Sequence, residues 1–410
     1  MKPPTERLAS LDAFRGFDIL VMIFVNYIAG MPGIPFFLQH AKADMDTFTL
    51  TDVVFPGFLF IVGVAIPLSL GKRLALGEPL WKILRRIGLR TAGLLFLGVL
   101  FVNENRYSEA STGKSRDLWY FLALMATVLL WMTYPKTESR SKGRLYLGLR
   151  SGAAILLLGL VIIWRGQNPD GTFSWLRHSW WGILGMIGWT YLAGSLLYLL
   201  AKGDRAALMG GLGFMVALYI GARHGVLYFL KPIDGFVQIG NVFGSHLAIV
   251  TAGMLVGTLF TPARSGMKPR ARIAWIAVFG SGLLATGFLL RPLHGFSKIH
   301  GTESYCLATS GLCCLLLLIF YWLMDVLKFR SWAVFLRPIG ANPLLAYILP
   351  DIVRTLIDFG STLFRLDLWK TVWPYWKNGG GPGMLSAAAM TGIILLLTWA
   401  LTRKKIILKI

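Results

Sequence analysis

The chain has 410 residues, of which 55% are hydrophobic and only 15% charged; its mean hydropathy is +0.63 and its formal net charge +22. Soluble domains carry about a quarter charged residues, so this composition excludes a soluble globular protein. The excess of Lys and Arg gathers in alternate loops, as the positive-inside rule requires of a membrane protein, and nucleic acid is therefore not an expected partner.

Apolar runs long enough to cross a bilayer recur at about 17–38, 52–70, 84–102, 117–134, 146–164, 180–200, 207–222, 243–260, 273–290, 305–326, 338–357 and 384–402. The expected fold is all-α: one integral-membrane domain over 1–410, a polytopic helical bundle of about twelve transmembrane helices. It becomes ten if the Gly-rich run at 207–222 and a neighbour do not cross. One set of loops is basic: Lys72 to Arg90, Lys136 to Arg150, Lys202 with Arg205, Arg264 to Arg272, Lys328 to Arg337, and Arg403 to Lys409. The other set is sparse or balanced: 39–51, 103–116, 165–179, 223–242, 291–304 and 358–383. This alternation places both termini in the cytoplasm and His40 outside. The first run follows a polar start and lacks a small-residue cleavage site, so no cleavable signal peptide is expected. NGGGPG at 378–383 reads as a flexible hinge in an outside loop.

The first run opens LDAFRGFDIL. On a helix, Asp12, Arg15, Asp18 and Asn26 fall within about a third of the circumference. Asp12 and Arg15, and Arg15 and Asp18, are three apart and can pair. A charged stripe entering a membrane helix faces protein or water rather than lipid. Asp12 and Arg15 read as an interfacial anchor, and Asn26 either as a site residue or as helix–helix glue.

His40 can accept a proton from an attacking amine or hydroxyl, or be acylated. Asp52 can hold the other ring nitrogen and fix the tautomer. The same two residues also read as an interfacial histidine and the N-cap of the second span. Arg291, His294, Lys298, His300 and Glu303 cluster in one later loop, and Arg223, His224, Lys231 and Asp234 in another; they read as solvated residues or as the lining of a polar entrance. His246 opens a span, and Asn342 lies at a helix break within RPIGANPLLAY. Cys306, Cys313 and Cys314 share one apolar run without metal-site spacing and read as packing residues. No metal site is expected.

LDAFRG, the VNY triplet, the His40–Ala41 pair and TDVVFPGFLFIVGVAIPLSL resemble the transmembrane N-acetyltransferases typified by lysosomal heparan-α-glucosaminide N-acetyltransferase, a family with bacterial relatives. SKIHGTESY, IGANPLLAY and the closing RKKIILKI are similar to its later segments, in the same order. The resemblance implies acetyl transfer from cytoplasmic acetyl-CoA to an amine or hydroxyl of an extracytoplasmic amino sugar. His40 is then the general base or acyl acceptor, with Asp52 and Asn26 beside it. A polar tunnel walled by Asp12, Arg15, Asp18 and Asn26 would admit the donor's pantetheine arm, and Lys82, Arg85, Arg86 and Arg90 suit the CoA phosphates. Arg15, Arg85, Arg86 and Asn342 are the candidate donor contacts, and Lys298 and His300 the candidate acceptor contacts. Expected partners are acetyl-CoA, the acceptor and the bilayer, with a homodimer compatible. The implied location is a bacterial inner membrane. A transporter for an amino sugar or related solute is the alternative, with the polar stripe lining its path.

Overall fold

The computed structural model describes residues 8–168, 171–261, 266–372 and 379–410. Of the basic loop residues named above, Arg264 lies outside them, as does Asn378 of the glycine-rich segment. Among the described residues the regular elements are helices apart from a short hairpin pairing Gly166–Gln167 with Phe173–Ser174. It is an integral-membrane, all-α bundle. Each of the twelve predicted runs finds a helix: α1 Ala9–Ile28, α2 Leu50–Ala75, α3 Leu80–Val102, α4 Arg116–Trp131, α5 Arg140–Ile163, α6 Ile183–Leu200, α7 Arg205–Arg223, α8 Leu247–Gly257, α9 Pro269–His294, α10 Glu303–Tyr321, α11 Pro343–Phe364 and α12 Gly380–Arg403.

Among the described residues nine helices are individually long and apolar enough to span, or ten if the pair Ser331–Ala341 and Pro343–Phe364, bent by 78°, counts as one. α1, with its three charges, and α4, at 16 residues, are the two that fall short. The Gly-rich run at 207–222 is itself within a spanning helix.

The first run is misplaced in the sequence reading. Its helix covers Ala9–Ile28, not 17–38. Gly30 and Gly33 take positive φ (76° and 70°), which L side chains resist, and they flank Met31 and Pro32. The start is fixed by Asp325, whose carboxylate accepts the N–H groups of Ala9 and Ser10 at 3.3 and 3.0 Å and so satisfies two orphan donors of the first turn. The glycine-rich hinge is also corrected: Gly380–Gly383 form the first turn of α12, and the Gly380 N–H donates to the Pro32 carbonyl at 2.8 Å.

The chain divides into two compact units. The first comprises 1–18, 36–96 and 183–334. Its centre is α8, buried along its whole length and packed on α2. A Cβ at Gly63 would collide with the Val250 carbonyl, and one at Gly253 with the Phe60 carbonyl. This is the close backbone approach that small residues permit between membrane helices. α9 packs along α10 in the same unit, and α10 also touches α2. The second unit comprises 19–35, 97–182 and 335–410. There α4 packs on α5 and α11, and α11 on α12.

Candidate active site

The site in the first unit begins with a helix start. Thr49 is the N-cap of α2, and its N–H donates to Asp52 Oδ2 at 3.1 Å. Asp52 is thus the third helical residue of a capping box, not the N-cap itself. Its side chain is fully buried. A buried carboxylate must be compensated by donors, and this one is: Ala41 N–H at 3.1 Å, Thr49 Oγ1 at 3.1 Å, His40 Nδ1 at 2.7 Å, and Lys298 Nζ at 3.6 Å. Thr49 Oγ1 also lies 2.6 Å from the Gln39 carbonyl. The segment 39–49 is therefore folded back over the end of α2, and His40 is fixed by one nitrogen while its ring stays 46% exposed.

Lys298 closes the third side. Its Nζ is 2.9 Å from Nδ1 and 3.4 Å from Nε2 of His40. Burial pushes its amine below the usual lysine range, and the Asp52 charge pulls it partly back. The loop that carries Lys298 is itself tied. Asp46 Oδ1 accepts the Phe296 N–H at 2.6 Å, and Asp46 Oδ2 accepts Arg291 Nε at 2.9 Å. The Phe296 N–H, with Arg291, holds the Asp46 carboxyl below the usual carboxylate range. Phe48 meets Phe296 and Tyr305 edge-on at 5.1 and 5.9 Å, and the Tyr305 hydroxyl donates to the Asp52 carbonyl.

With Asp52 ionised and accepting from Nδ1–H, the lone pair of His40 sits on Nε2. A base held by a buried carboxylate, with an amine alongside, can take a proton or stabilise developing negative charge.

The other candidates are placed as follows. Asn26 is exposed, two residues before the end of α1, and belongs to the second unit, whereas His40, Asp52 and Lys298 belong to the first. Arg15 lies 3.5 Å from Asp12. Asp18 is buried against Gly57 of α2. Arg85 and Arg86 are exposed on α3, and Arg86 shares Glu78 with Arg73, at 3.1 and 2.9 Å. Arg73 first, then Arg86, keeps the Glu78 carboxyl below its usual range. Asn342 is fully buried. Its amide donates to Thr402 Oγ1 at 3.2 Å and the Ile406 carbonyl at 2.7 Å, and accepts the Leu408 N–H at 3.0 Å. His300 is exposed and its carbonyl accepts the Tyr219 hydroxyl at 3.2 Å. Cys306, Cys313 and Cys314 are free and buried.

Two loop readings change. Glu303 is fully buried and lies 2.8 Å from His294 Nδ1, so neither is a solvated loop residue; they close the base of the loop that presents Lys298. Asp46 and Thr49 were not singled out in the sequence. The available signal was the T-x-x-D spacing of a capping box; for Asp46 no local pattern existed, because its partners lie about 250 residues away.

These features define a class, a polytopic membrane protein presenting a histidine on a buried carboxylate at the mouth of a helix. The chain belongs to the family described as "Domain of unknown function (DUF5009)", whose model matches residues 7–229 and so includes His40 and Asp52 but not Lys298. It is similar to human heparan-alpha-glucosaminide N-acetyltransferase, at 26% identity over 390 residues, covering 87% of this chain and 54% of that protein. The mouse protein of the same name is 37% identical over 100 residues, covering 24% of this chain and 14% of its own length. The chain thus spans about half the length of the human relative.

Proposed function

We propose that this protein is a membrane acetyltransferase that moves acetyl from acetyl-CoA to an amine or hydroxyl of an extracytoplasmic amino sugar. The observation that carries the reading is the His40–Asp52 contact at 2.7 Å, with the carboxylate buried and the ring exposed. The similarity to the N-acetyltransferases supports it.

In this reading His40 Nε2 accepts the proton of the acceptor amine as its nitrogen bonds to the acetyl carbon. It then delivers that proton to the departing thiolate. Asp52 holds the tautomer and offsets the charge of the imidazolium. Lys298, with its ammonium beside the ring, stabilises negative charge developing on the acetyl oxygen. A covalent acetyl on His40 is the alternative course, and the same Asp52 contact would serve it. The donor's phosphates are assigned to the basic face of α3, where Arg85 and Arg86 are exposed and Arg86 is shared with Glu78, with Arg15 as a further candidate contact. His300 remains a candidate acceptor contact and Asn26 a candidate catalytic residue. No metal is invoked; among the described residues no group of three His, Cys, Asp or Glu is arranged to hold one. The alternating loop charges support cytoplasmic termini, and the membrane in this reading is a bacterial inner membrane. A reporter fused after Ile410 is expected inside and one inserted near Asp44 outside.

The 78° break before α11 favours a second reading, transport of an amino sugar, because interrupted helices build solute sites in transporters. Purified protein given labelled acetyl-CoA and glucosamine decides between them. N-acetylated product supports transfer; neither product nor acetyl-CoA binding, with solute uptake in vesicles, supports transport.

A further inference from the structure

The second unit holds an ionic cluster that the His40 chemistry does not use. The Tyr120 hydroxyl on α4 donates to Asp351 Oδ2 on α11 at 2.9 Å. Arg354, one turn on, reaches Asp351 Oδ1 at 3.5 Å and Glu104 Oε1 at 3.7 Å. Arg116 approaches the same Glu104 oxygen at 3.6 Å and Asp117 at 3.7 Å. The Arg354 guanidinium also stands over the Tyr120 ring at 5.6 Å, and that ring stacks on Trp119.

Two properties set this cluster apart from an ordinary structural ion pair. First, its Asp351 and Arg354 stand inside α11, and charges within a membrane helix are costly and are kept for a polar ligand or a water-filled path. Second, the pairs are long. Guanidinium–carboxylate bonds of full strength are about 2.7–2.9 Å, yet Arg354 reaches its two carboxylates only at 3.5 and 3.7 Å, and the side chains of Arg354 and Asp351 are each 36% exposed. Arg354 has five N–H donors in a planar fork, and each carboxylate has several lone pairs to offer. Donors and acceptors are thus presented side by side along an aromatic edge, an arrangement that suits vicinal hydroxyls. Glu104, Asp117 and Asp351 against Arg116 and Arg354 leave one net negative charge, which disfavours a phosphate or other anion. The loop 103–116, which contributes Glu104, is one of the weakly charged loops expected outside.

We propose that Tyr120, Asp351, Arg354 and Glu104 form a binding site for a non-anionic polyhydroxyl ligand, an amino sugar. This assignment rests on the acyl-transfer reading for its substrate.

The test is calorimetry with glucosamine and, separately, with acetyl-CoA on the purified full chain in detergent. Asp351→Asn and Arg354→Gln should each weaken glucosamine binding about tenfold or more, as expected for losing a charge-assisted hydrogen bond, with acetyl-CoA affinity unchanged. Glucosamine 6-phosphate should bind the wild type more weakly than glucosamine. Tyr120→Phe removes a single hydroxyl and serves if the charge variants do not fold; it should bind glucosamine more weakly at an unchanged melting temperature. Wild-type affinity in the folded variants overturns the site, as does a loss confined to acetyl-CoA, or no glucosamine binding by the wild type. Binding that depends on these residues without any acetyl transfer would leave the site standing and remove the acyl-transfer reading. Acetyl transfer with an unchanged KM for glucosamine in the variants would do the reverse.

Discussion

The Nζ of Lys298 lies 2.9 Å from Nδ1 of His40, a residue 258 positions earlier in the chain, and 3.6 Å from the carboxylate that holds that histidine. A histidine and an aspartate twelve residues apart could be no more than an interfacial residue and a helix start. The arrival of a partly buried amine from a distant loop makes the three a built constellation.

If the Lys298 ammonium stabilises the acyl-transfer transition state, Lys298→Met should lower kcat by about 10²–10³, the cost of removing one such donor. Burial holds its folded pKa below the usual lysine range, so its charge is lost earlier than an exposed lysine's as pH rises. Activity should fall on the alkaline side, and Lys298→Arg, which stays charged, should move that limb upward. The same depression means that the unfolded chain binds this proton more readily. Its contribution to stability therefore rises with pH between the folded and usual values. A pH–rate profile with the same alkaline limb in both proteins would remove Lys298 from this role.

The Asp46 strap predicts an acid sensitivity with a defined sign. Its folded pKa is depressed by the Phe296 N–H and Arg291. The stability it contributes is present above the usual carboxylate value, about 4, and is lost as pH falls through the folded value. The wild type should therefore lose slightly more melting temperature than Asp46→Asn between pH 7 and pH 3. Asp46 is half exposed, so the difference should correspond to no more than about 1 kcal/mol. Equal acid sensitivity of the two proteins would count against the strap.

Asn342 offers a choice between two roles. Its three amide contacts pin the C-terminal residues Ile406 and Leu408. Removing a buried amide from its partners costs about 1–3 kcal/mol. Asn342→Ala should then melt earlier in detergent with acetyl-CoA affinity unchanged. Weakened acetyl-CoA binding at an unchanged melting temperature would instead place Asn342 at the donor.

The sequence carried the architecture well because its two strongest signals, apolar run length and loop charge, are local. All twelve runs became helices. The misplaced first run shows the limit. Hydropathy alone extended it through Gly30 and Pro32, whereas the backbone conformation at Gly30 and Gly33 ends the helix at Ile28. The site was half legible. His40 and Asp52 lie within one loop and helix start, where spacing and residue type carry information. Long-range partners such as Arg291 and Phe296 on Asp46 are set by packing, and so is the burial of Glu303 against His294 nine residues before it. The Tyr120–Asp351–Arg354 cluster was invisible for the same reason, since Tyr120 and Asp351 are 231 residues apart.

The most direct measurement is turnover by His40→Ala. Purified wild type and variant are given labelled acetyl-CoA and glucosamine, and N-acetylated product is counted alongside acetyl-CoA binding and melting temperature. His40 is exposed and contributes little packing, so the variant should fold and bind donor as the wild type does. Its transfer rate should fall by about 10²–10⁴, the usual cost of losing a general base. Turnover near that of the wild type would contradict the assignment of His40 to the chemistry.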